Sequence, residues 1–354
     1  MPEYNCERCL KDFKQKSHYN KHLNKKIPCQ NIKEKVEKEV EKVISGNEDK
    51  EVNNKKKTKK ELLLECEKLG FENYKSKKKS DLINMIEKGE NNVELKPIIK
   101  WSGGKSDEIR MFKSHIPNDY NIYIEPFIGG GSVFFNLKPE KAVITDIHPE
   151  LIDFYSCIKK GQINEIYNFM EENGNNEETY YKIRDKMKID NELDNAKRFY
   201  YQRKTCFRGM MRYNKKGKFN IPFGKYKTIN YNDLKNKRYE ELLKRTEIFN
   251  KSFEYVFEKY NDKNNFMFLD PPYDSEFTDY GYCKFGKEEQ TILANLFKQT
   301  KIRCLMIIGK TEFIEDLYKD YIISEYDKKY KFKIHSGRVG DEINTKHLII
   351  KNYK

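Results

Sequence analysis

From Ile98 onward, short apolar runs alternate with longer amphipathic stretches. The runs YIEPF (123–127), KAVITD (141–146), FMFLD (266–270) and CLMIIG (304–309) read as strands, and ELIDFYSCIKK (150–160) and KEEQTILANLFKQT (287–300) as helices between them. Strands alternating with helices predict an α/β domain with a parallel sheet over residues 95–354. The pattern before Ile98 differs. In residues 59–89, Leu62, Leu63, Cys66 and Leu69 share one helical face, Gly70 breaks the pattern, and Leu82, Ile83 and Ile86 define a second helix. Residues 31–58 have helical spacing at Val36, Val40 and Val43, then a charged run of linker character. Residues 90–97, with Asn91-Asn92 and Pro97, form the last linker, and no internal repeat is present.

Composition narrows the class. The chain has 354 residues, with 70 Lys and Arg against 56 Asp and Glu, a net charge of +14. Hydrophobic residues make up only 37%, but aromatics reach 14%, enough ring area for a core and against wholesale disorder. No apolar run approaches the roughly 20 residues needed to span a bilayer. The start, MPEYNCERCL, has no apolar signal region, which predicts an intracellular protein located with its partner. That partner is expected to be a polyanion. Five of the eight cysteines (Cys66, Cys157, Cys206, Cys283 and Cys304) are scattered, as reduced thiols are.

The other three cluster in residues 1–30. Cys6-x2-Cys9 is followed by twelve residues, His22, six more and Cys29. Zinc takes about four soft ligands in a tetrahedron, and a small polar segment needs such a metal to fold. Phe13 and Tyr19 stand where a small finger places its apolar core. The segment resembles a zinc finger with Cys6, Cys9, His22 and Cys29 as ligands; His18, four residues before His22, competes for the fourth place. Residues 59–89 resemble a SAP-type DNA-binding module, with Lys75, Lys77, Lys78 and Lys79 near the second helix for phosphate contact. A plain helical hairpin fits the same pattern.

Three segments carry chemistry. Lys100-Trp101-Ser102-Gly103-Gly104-Lys105 comes first. The run YIEPF then enters the glycine turn Gly129-Gly130-Gly131 and a helix start, and Asp146 closes the next strand. Glycines here let backbone approach a ligand closely and leave helix N–H groups free. An acid ending the second strand of a Rossmann-like unit is placed for ribose hydroxyls, and without GxGxxG a mononucleoside-sized cofactor fits better than a dinucleotide. Last, Asp270-Pro271-Pro272-Tyr273 makes a stiff corner after an apolar strand. The Asp270 carboxylate and the Pro271 carbonyl can accept both hydrogens of an exocyclic amine while Tyr273 stacks on a planar base.

Together with TDIHPELIDFYSCIK (145–159) and RYNKKGKFNIPFGKY (212–226), these stretches resemble, in order, the Dam-like DNA N6-adenine methyltransferases over about 260 residues. The resemblance implies a Rossmann-like S-adenosylmethionine-dependent fold with an inserted helical and β-hairpin target-recognition region, here 160–250. It implies that Trp101, Lys105, Glu125, Phe127, Gly129, Gly131, Asp146 and Asp270 hold S-adenosylmethionine. It also implies that Asp270, Pro271, Pro272 and Tyr273 grip an adenine flipped from double-stranded DNA. The chemistry itself needs no catalytic metal.

Residues 198–227 interleave aromatics with Arg and Lys, as a basic groove-entering hairpin does. Arg212, Tyr213, Asn214 and Lys225 are the DNA-contact candidates, Tyr213 as the wedge. Arg208 stands where relatives commonly carry Asn, and Lys225 where many carry Arg, so the usual target sequence is not assumed. His148 reads as a helix-entry residue; His115, His335 and His347 as isolated structural or exposed residues; Tyr280, Tyr282 and Phe285 as a loop over the adenine or as core; Gly309, Lys310 and Thr311 receive no role. Methylation of RNA or of a protein glutamine, and DNA binding without catalysis, are the competing functions. A monomer is expected, with room for a companion restriction endonuclease.

Overall fold

The computed structural model describes residues 4–6, 12–13, 15–24, 57–68, 76–87, 95–274, 285–330 and 343–354. The chain divides into two compact units, Met1–Glu94 and Leu95–Lys354.

In the first unit, β1 (Tyr4–Asn5) pairs antiparallel with β2 (Asp12–Phe13), and α1 (Lys16–Leu23) follows. Phe13 lies 4.9 Å from the His22 ring and 5.8 Å from Tyr19, while Cys6 is buried. Cys9 and Cys29 lie outside the described residues, as do Val36, Val40, Val43, Leu69, Gly70 and Lys75. Among the described residues, no group of three or more His, Cys, Asp or Glu side chains gathers to hold a metal ion.

Helices α2 (Lys59–Lys68) and α3 (Lys79–Glu87) share an apolar cluster of Leu62, Cys66, Leu82 and Ile86. The start of α2 is a capping box: Thr58 N–H donates to Glu61 Oε2 (2.6 Å) and Glu61 N–H to Thr58 Oγ1 (3.3 Å).

The second unit is built on a sheet of β3 (Tyr123–Glu125), β4 (Ala142–Thr145), β5 (Thr246–Phe249), β6 (Phe266–Leu269), β7 (Arg303–Gly309), β8 (Ile322–Tyr330) and β9 (Ile343–Lys351). Their spatial order is β5-β4-β3-β6-β7-β9-β8. Neighbours from β5 to β7 are parallel, and β9 runs antiparallel to both β7 and β8. Successive side chains point to opposite faces. Tyr123, Phe266, Phe268, Leu305 and Ile307 join one core, and Ile124, Met267, Leu269, Cys304, Met306 and Ile308 the other. Burial on both faces is why these strands read as unbroken apolar runs.

The helices of this unit are α4 (Ile109–Phe112), α5 (Ser132–Leu137), α6 (Pro149–Lys159), α7 (Ile163–Asn173), α8 (Glu177–Lys186), α9 (Glu192–Thr205), α10 (Arg238–Lys244), α11 (Phe253–Lys259), α12 (Lys287–Gln299) and α13 (Glu312–Tyr318). Those from α5 to α10 supply the first core (Phe134, Phe154, Tyr200 and Leu242), and α11 to α13 the second (Val256, Leu293 and Ile314). The span 160–250 holds α7 to α10 and an antiparallel hairpin bridged at Cys206–Phe223 and Tyr213–Phe219. It also contains β5, which pairs with β4, so the inserted part ends before Thr246.

Strand order reverses at β3. The chain passes from β3 outward to β4 on one side, while β6 lies on the other. Such a switch point opens a crevice at the carboxyl ends of the two central strands. Glu125 ends β3 and Asp270 follows β6 there. Among the described residues, no helix is long and apolar enough to cross a membrane.

Candidate active site

Asp270 is drawn to a partner distant in sequence. Lys105 Nζ donates to Asp270 Oδ1 at 2.5 Å and to the Gly103 carbonyl at 2.8 Å. Lys105 is 1% exposed. Asp270 keeps a fifth of its side chain open to the cleft, yet protein surrounds it, and that desolvation raises its pKa above the usual aspartate value against the opposing Lys105 charge.

The corner is held from outside. Gln290, fully buried on α12, donates from Nε2 to the Pro272 carbonyl at 2.7 Å. Among the described residues, none donates to the Pro271 carbonyl. The Tyr273 ring lies against Gly309, where a Cβ would come to 3.3 Å from Cδ2, and Lys105 Nζ is 5.2 Å from the ring centre. Gly309, given no role above, is therefore a seat for the Tyr273 ring. Thr311 donates from Oγ1 to Asp274 (3.2 Å) just beyond the corner.

The glycine turn serves packing. A Cβ on Gly129 would sit 2.6 Å from Trp101 Cδ1, and one on Gly131 2.7 Å from Phe135 Cε2; both glycines have positive φ (45° and 71°). Gly129 N–H donates to Asp146 Oδ2 (3.1 Å) and Gly131 N–H to the Ile128 carbonyl (2.7 Å). Both glycine N–H groups are thus committed to partners within the protein. Trp101 covers Gly129, with the Arg203 guanidinium 5.6 Å from its ring.

Asp146 accepts from Gly129 N–H through Oδ2 and from His148 N–H through Oδ1 (3.0 Å). Burial lifts its pKa to about 6 despite those bonds. Glu125 is pushed further, to about 8, by burial and by the nearby Asp270 charge, while the Tyr123 hydroxyl (2.5 Å) opposes the rise. Phe127 packs into an aromatic wall, tilted against Phe253 (5.6 Å) and edge-on to Phe285 (5.7 Å). Two buried carboxyl groups, Glu125 and Asp146, and the partly exposed Asp270 thus line the crevice with one lysine.

A raised carboxylate pKa makes the native state hold protons that the unfolded state releases. For Glu125 the native value near 8 exceeds the ordinary 4.5, so its contribution to stability falls as pH rises between them. The melting temperature is expected to drop from pH 5 to pH 8, and Glu125→Gln to flatten that slope. An unchanged slope in thermal melts of the variant overturns this.

Behind the corner lies a cluster that no local pattern announced. Glu108, buried, accepts from His347 Nδ1 (2.7 Å), Tyr326 Oη (2.7 Å) and Lys328 Nζ (2.5 Å). Burial alone would raise its pKa; the His347 bond, the Lys105 charge and the other two donors hold it down near 2. His347, by sequence an isolated residue with a structural or an exposed place, takes the structural one. It is fully buried, bonded to Glu108 and edge-on to Tyr273 at 5.2 Å.

His148 is a helix-entry residue: its Nδ1 accepts from Leu151 N–H at 3.3 Å and caps α6. In the hairpin, Arg212 is exposed and donates from Nε to Asn220 Oδ1 (2.8 Å). Asn214 Oδ1 accepts from the Lys216 and Lys218 N–H groups (2.9 and 3.1 Å), so this side chain builds the turn. Tyr213 is half-buried, its hydroxyl donating to Glu150 Oε2 at 2.6 Å. Lys225 is exposed at φ 52°, and Arg208 at φ 57°, a region that Asn enters more readily than Arg. A cavity of about 710 Å³ between the 97–106 segment and the insertion is lined by Lys100, Arg203, Lys204 and Arg208 among others. Tyr280, Tyr282 and His335 lie outside the described residues.

The family model described as D12 class N6 adenine-specific DNA methyltransferase matches residues 101–334. The chain is similar to the type II methyltransferase M.CviBI of Paramecium bursaria Chlorella virus NC1A, 58% identical over 261 residues, 73% of this chain and 100% of the relative. The type II methyltransferase M.MjaIII of Methanocaldococcus jannaschii is 34% identical over 292 residues (74% and 100%). A DNA adenine methylase of Haemophilus influenzae is 30% identical over 273 residues (73% and 90%).

Proposed function

Since the chain belongs to the D12 class of N6 adenine-specific DNA methyltransferases, for which S-adenosylmethionine is the implied donor, we propose that its Asp270-Pro271-Pro272-Tyr273 corner receives an adenine swung out of duplex DNA. The observation that carries this is the place of Asp270, at the switch-point end of β6 and locked to buried Lys105. The Asp270 carboxylate and the Pro271 carbonyl accept the two N6 hydrogens. Those bonds localise the nitrogen lone pair, which is otherwise delocalised into the ring. Tyr273 supplies a stacking face, and Gln290 keeps the corner from yielding. Alignment and placed dipoles account for most of the acceleration.

The residues present fit the donor. Asp146 and Asp270 supply carboxylates beside one lysine, Glu125 supplies a carboxyl whose pKa is held up near 8, and Trp101 and Phe127 supply flat apolar walls. Asp146 accepts from backbone N–H groups through both oxygens, and a carboxylate has acceptor capacity left for a ribose hydroxyl. Gly129 and Gly130 leave room for Trp101 to lie over the turn, and Gly131 leaves room for Phe135. When bound, S-adenosylmethionine supplies a methyl group made electrophilic by its sulfonium. Lys105 holds Asp270 in place while the N6 hydrogens are engaged, and the proton leaves N6 after the nitrogen has become tetrahedral.

Arg212, Asn214 and Lys225 are assigned to the DNA side of the hairpin, with Tyr213 at its inner edge. The type II names of two relatives support a restriction-modification setting with a companion endonuclease, acted on by a monomer located with its DNA. The deciding measurement incubates the full chain with labelled S-adenosylmethionine and AT-rich duplex DNA, then digests to nucleosides. Label in N6-methyladenine is expected. Label confined to RNA or protein overturns the reading.

The first unit is assigned a zinc ion on Cys6, Cys9 and His22, with Cys29 or His18 as fourth ligand. Supporting this are the strand-strand-helix order, the burial of Cys6 and the packing of Phe13 on His22. The α2–α3 hairpin, with Lys77, Lys78 and Lys79 exposed at the start of α3, is assigned SAP-like phosphate contact. Tethering either module raises the local DNA concentration at the enzyme. Metal analysis of the full chain is expected to find one zinc per molecule, lost in Cys6→Ser. A metal-free chain with its cysteines reduced and intact would remove the finger.

A further inference from the structure

We propose that Tyr213 is a latch through which the seating of the DNA-reading hairpin and the occupancy of the cofactor site are coupled, a reading that rests on the methyltransferase function above. Tyr213 stands at the hairpin bridge nearer the turn, opposite Phe219. Its ring belongs to the hairpin, but its hydroxyl belongs to α6. The hydroxyl donates to Glu150 Oε2 (2.6 Å) and lies 2.8 Å from His148 Nε2. Glu150 is steadied by Arg198, whose Nη2 donates to Oε1 at 2.8 Å.

The direction of each hydrogen bond follows from the one before it. His148 Nδ1 accepts the Leu151 N–H, so this nitrogen carries no proton. The proton of the neutral ring is therefore on Nε2, which donates to the Tyr213 oxygen, and the tyrosine hydrogen is left for Glu150. Burial and the nearby Arg203 hold the His148 pKa down near 3, so this assignment persists at neutral pH.

Two paths lead from His148 into the crevice. Its own N–H holds Asp146 Oδ1, and Asp146 Oδ2 in turn holds Gly129 N–H. Its ring also meets the Trp101 indole edge-on at 5.7 Å, and Trp101 is the side chain that Gly129 makes room for. Anything that shifts Asp146 or Trp101 therefore shifts the imidazole that Tyr213 is bonded to. Conversely, DNA pulling on Arg212 and the exposed lysines beyond it loads the Tyr213 bonds directly. The coupling is physical because one hydrogen-bonded pair is shared by both surfaces, and it is reciprocal by linkage.

A wedge and a latch make opposite demands on this residue. A wedge needs the ring; the latch needs the hydroxyl. The test uses the full chain, S-adenosylhomocysteine as an unreactive cofactor, and a duplex that the wild-type enzyme methylates. Cofactor affinity is measured with and without saturating DNA. DNA is expected to tighten wild-type cofactor binding by roughly 10-fold, within the usual range of such couplings. Tyr213→Phe is expected to bring that ratio to within about 2-fold of unity. His148→Asn retains a helix-capping side chain but cannot span to Tyr213; it should do the same and carries the test if Tyr213→Phe fails to fold. A wild-type ratio of one overturns the latch. So does an unchanged ratio in the variants, including the case where both affinities fall in parallel, as a merely structural role would produce. Failure of the wild-type chain to label adenine is a different result, and it removes the function rather than the latch.

Discussion

Asp270→Ala is expected to lower the rate of adenine methylation by about 10²–10³-fold, the usual cost of deleting one placed hydrogen-bonding group at a reacting centre. The side chain is assigned one of the two acceptors for the N6 hydrogens, so its loss leaves the lone pair delocalised. A second effect accompanies the first. Lys105, 1% exposed, loses its carboxylate and keeps only the Gly103 carbonyl at 2.8 Å among its described hydrogen bonds. A buried ammonium that loses its directly bonded carboxylate, with only the more distant Glu108 charge left, is costly, so the variant should also melt earlier. Asp270→Asn separates the two effects: the amide keeps an acceptor oxygen and the side-chain volume, so it should retain more activity than alanine while sharing the lost charge pairing. Single-turnover rates with saturating DNA and donor measure the chemical step apart from binding. A normal single-turnover rate in Asp270→Ala would remove this corner from the chemistry.

Lys105→Met is expected to destabilise the second unit by about 3 kcal/mol near pH 8, as breaking one side of a buried pair does. The reason is the company Lys105 keeps. Its charge holds down the pKa values of Asp270, Glu125 and Glu108. Without it, Asp270 and Glu125, already raised by burial, rise further. The sign of the pH effect follows: groups whose native pKa lies above the unfolded value lose stabilising effect as pH rises. The variant's deficit should therefore shrink toward pH 5, where these carboxylates take up protons instead of remaining as unpaired charges. The pH–rate profile should move to higher pH for the same reason, because a protonated Asp270 offers one acceptor fewer. Denaturant unfolding at pH 5, 7 and 8 reads the first effect, and the pH dependence of single-turnover rates the second. Equal destabilisation at all three values would show that Lys105 acts through packing alone.

Much of this protein was written locally. The strands around Ile124, Val143, Met267 and Leu305 are short apolar runs because both faces of the sheet are covered, and a run of four buried residues needs no distant information to be recognised. The stiffness of Pro271-Pro272, the capping role of His148 and the helical spacing of Leu62, Cys66, Leu82 and Ile86 are likewise properties of neighbours along the chain. What tertiary structure alone decided are the pairings across sequence. Lys105 meets Asp270 from 165 positions away and Glu108 meets His347 from 239, because the sheet order places the carboxyl ends of β3, β6 and β7 side by side and lays β9 between β7 and β8. Periodicity reports which face a residue occupies, never which distant residue shares it. The same limit explains the glycine turn. Its positive φ angles follow from residue type, but only the folded chain shows that Trp101 and Phe135 fill the space, and that the Tyr213 hydroxyl faces Glu150.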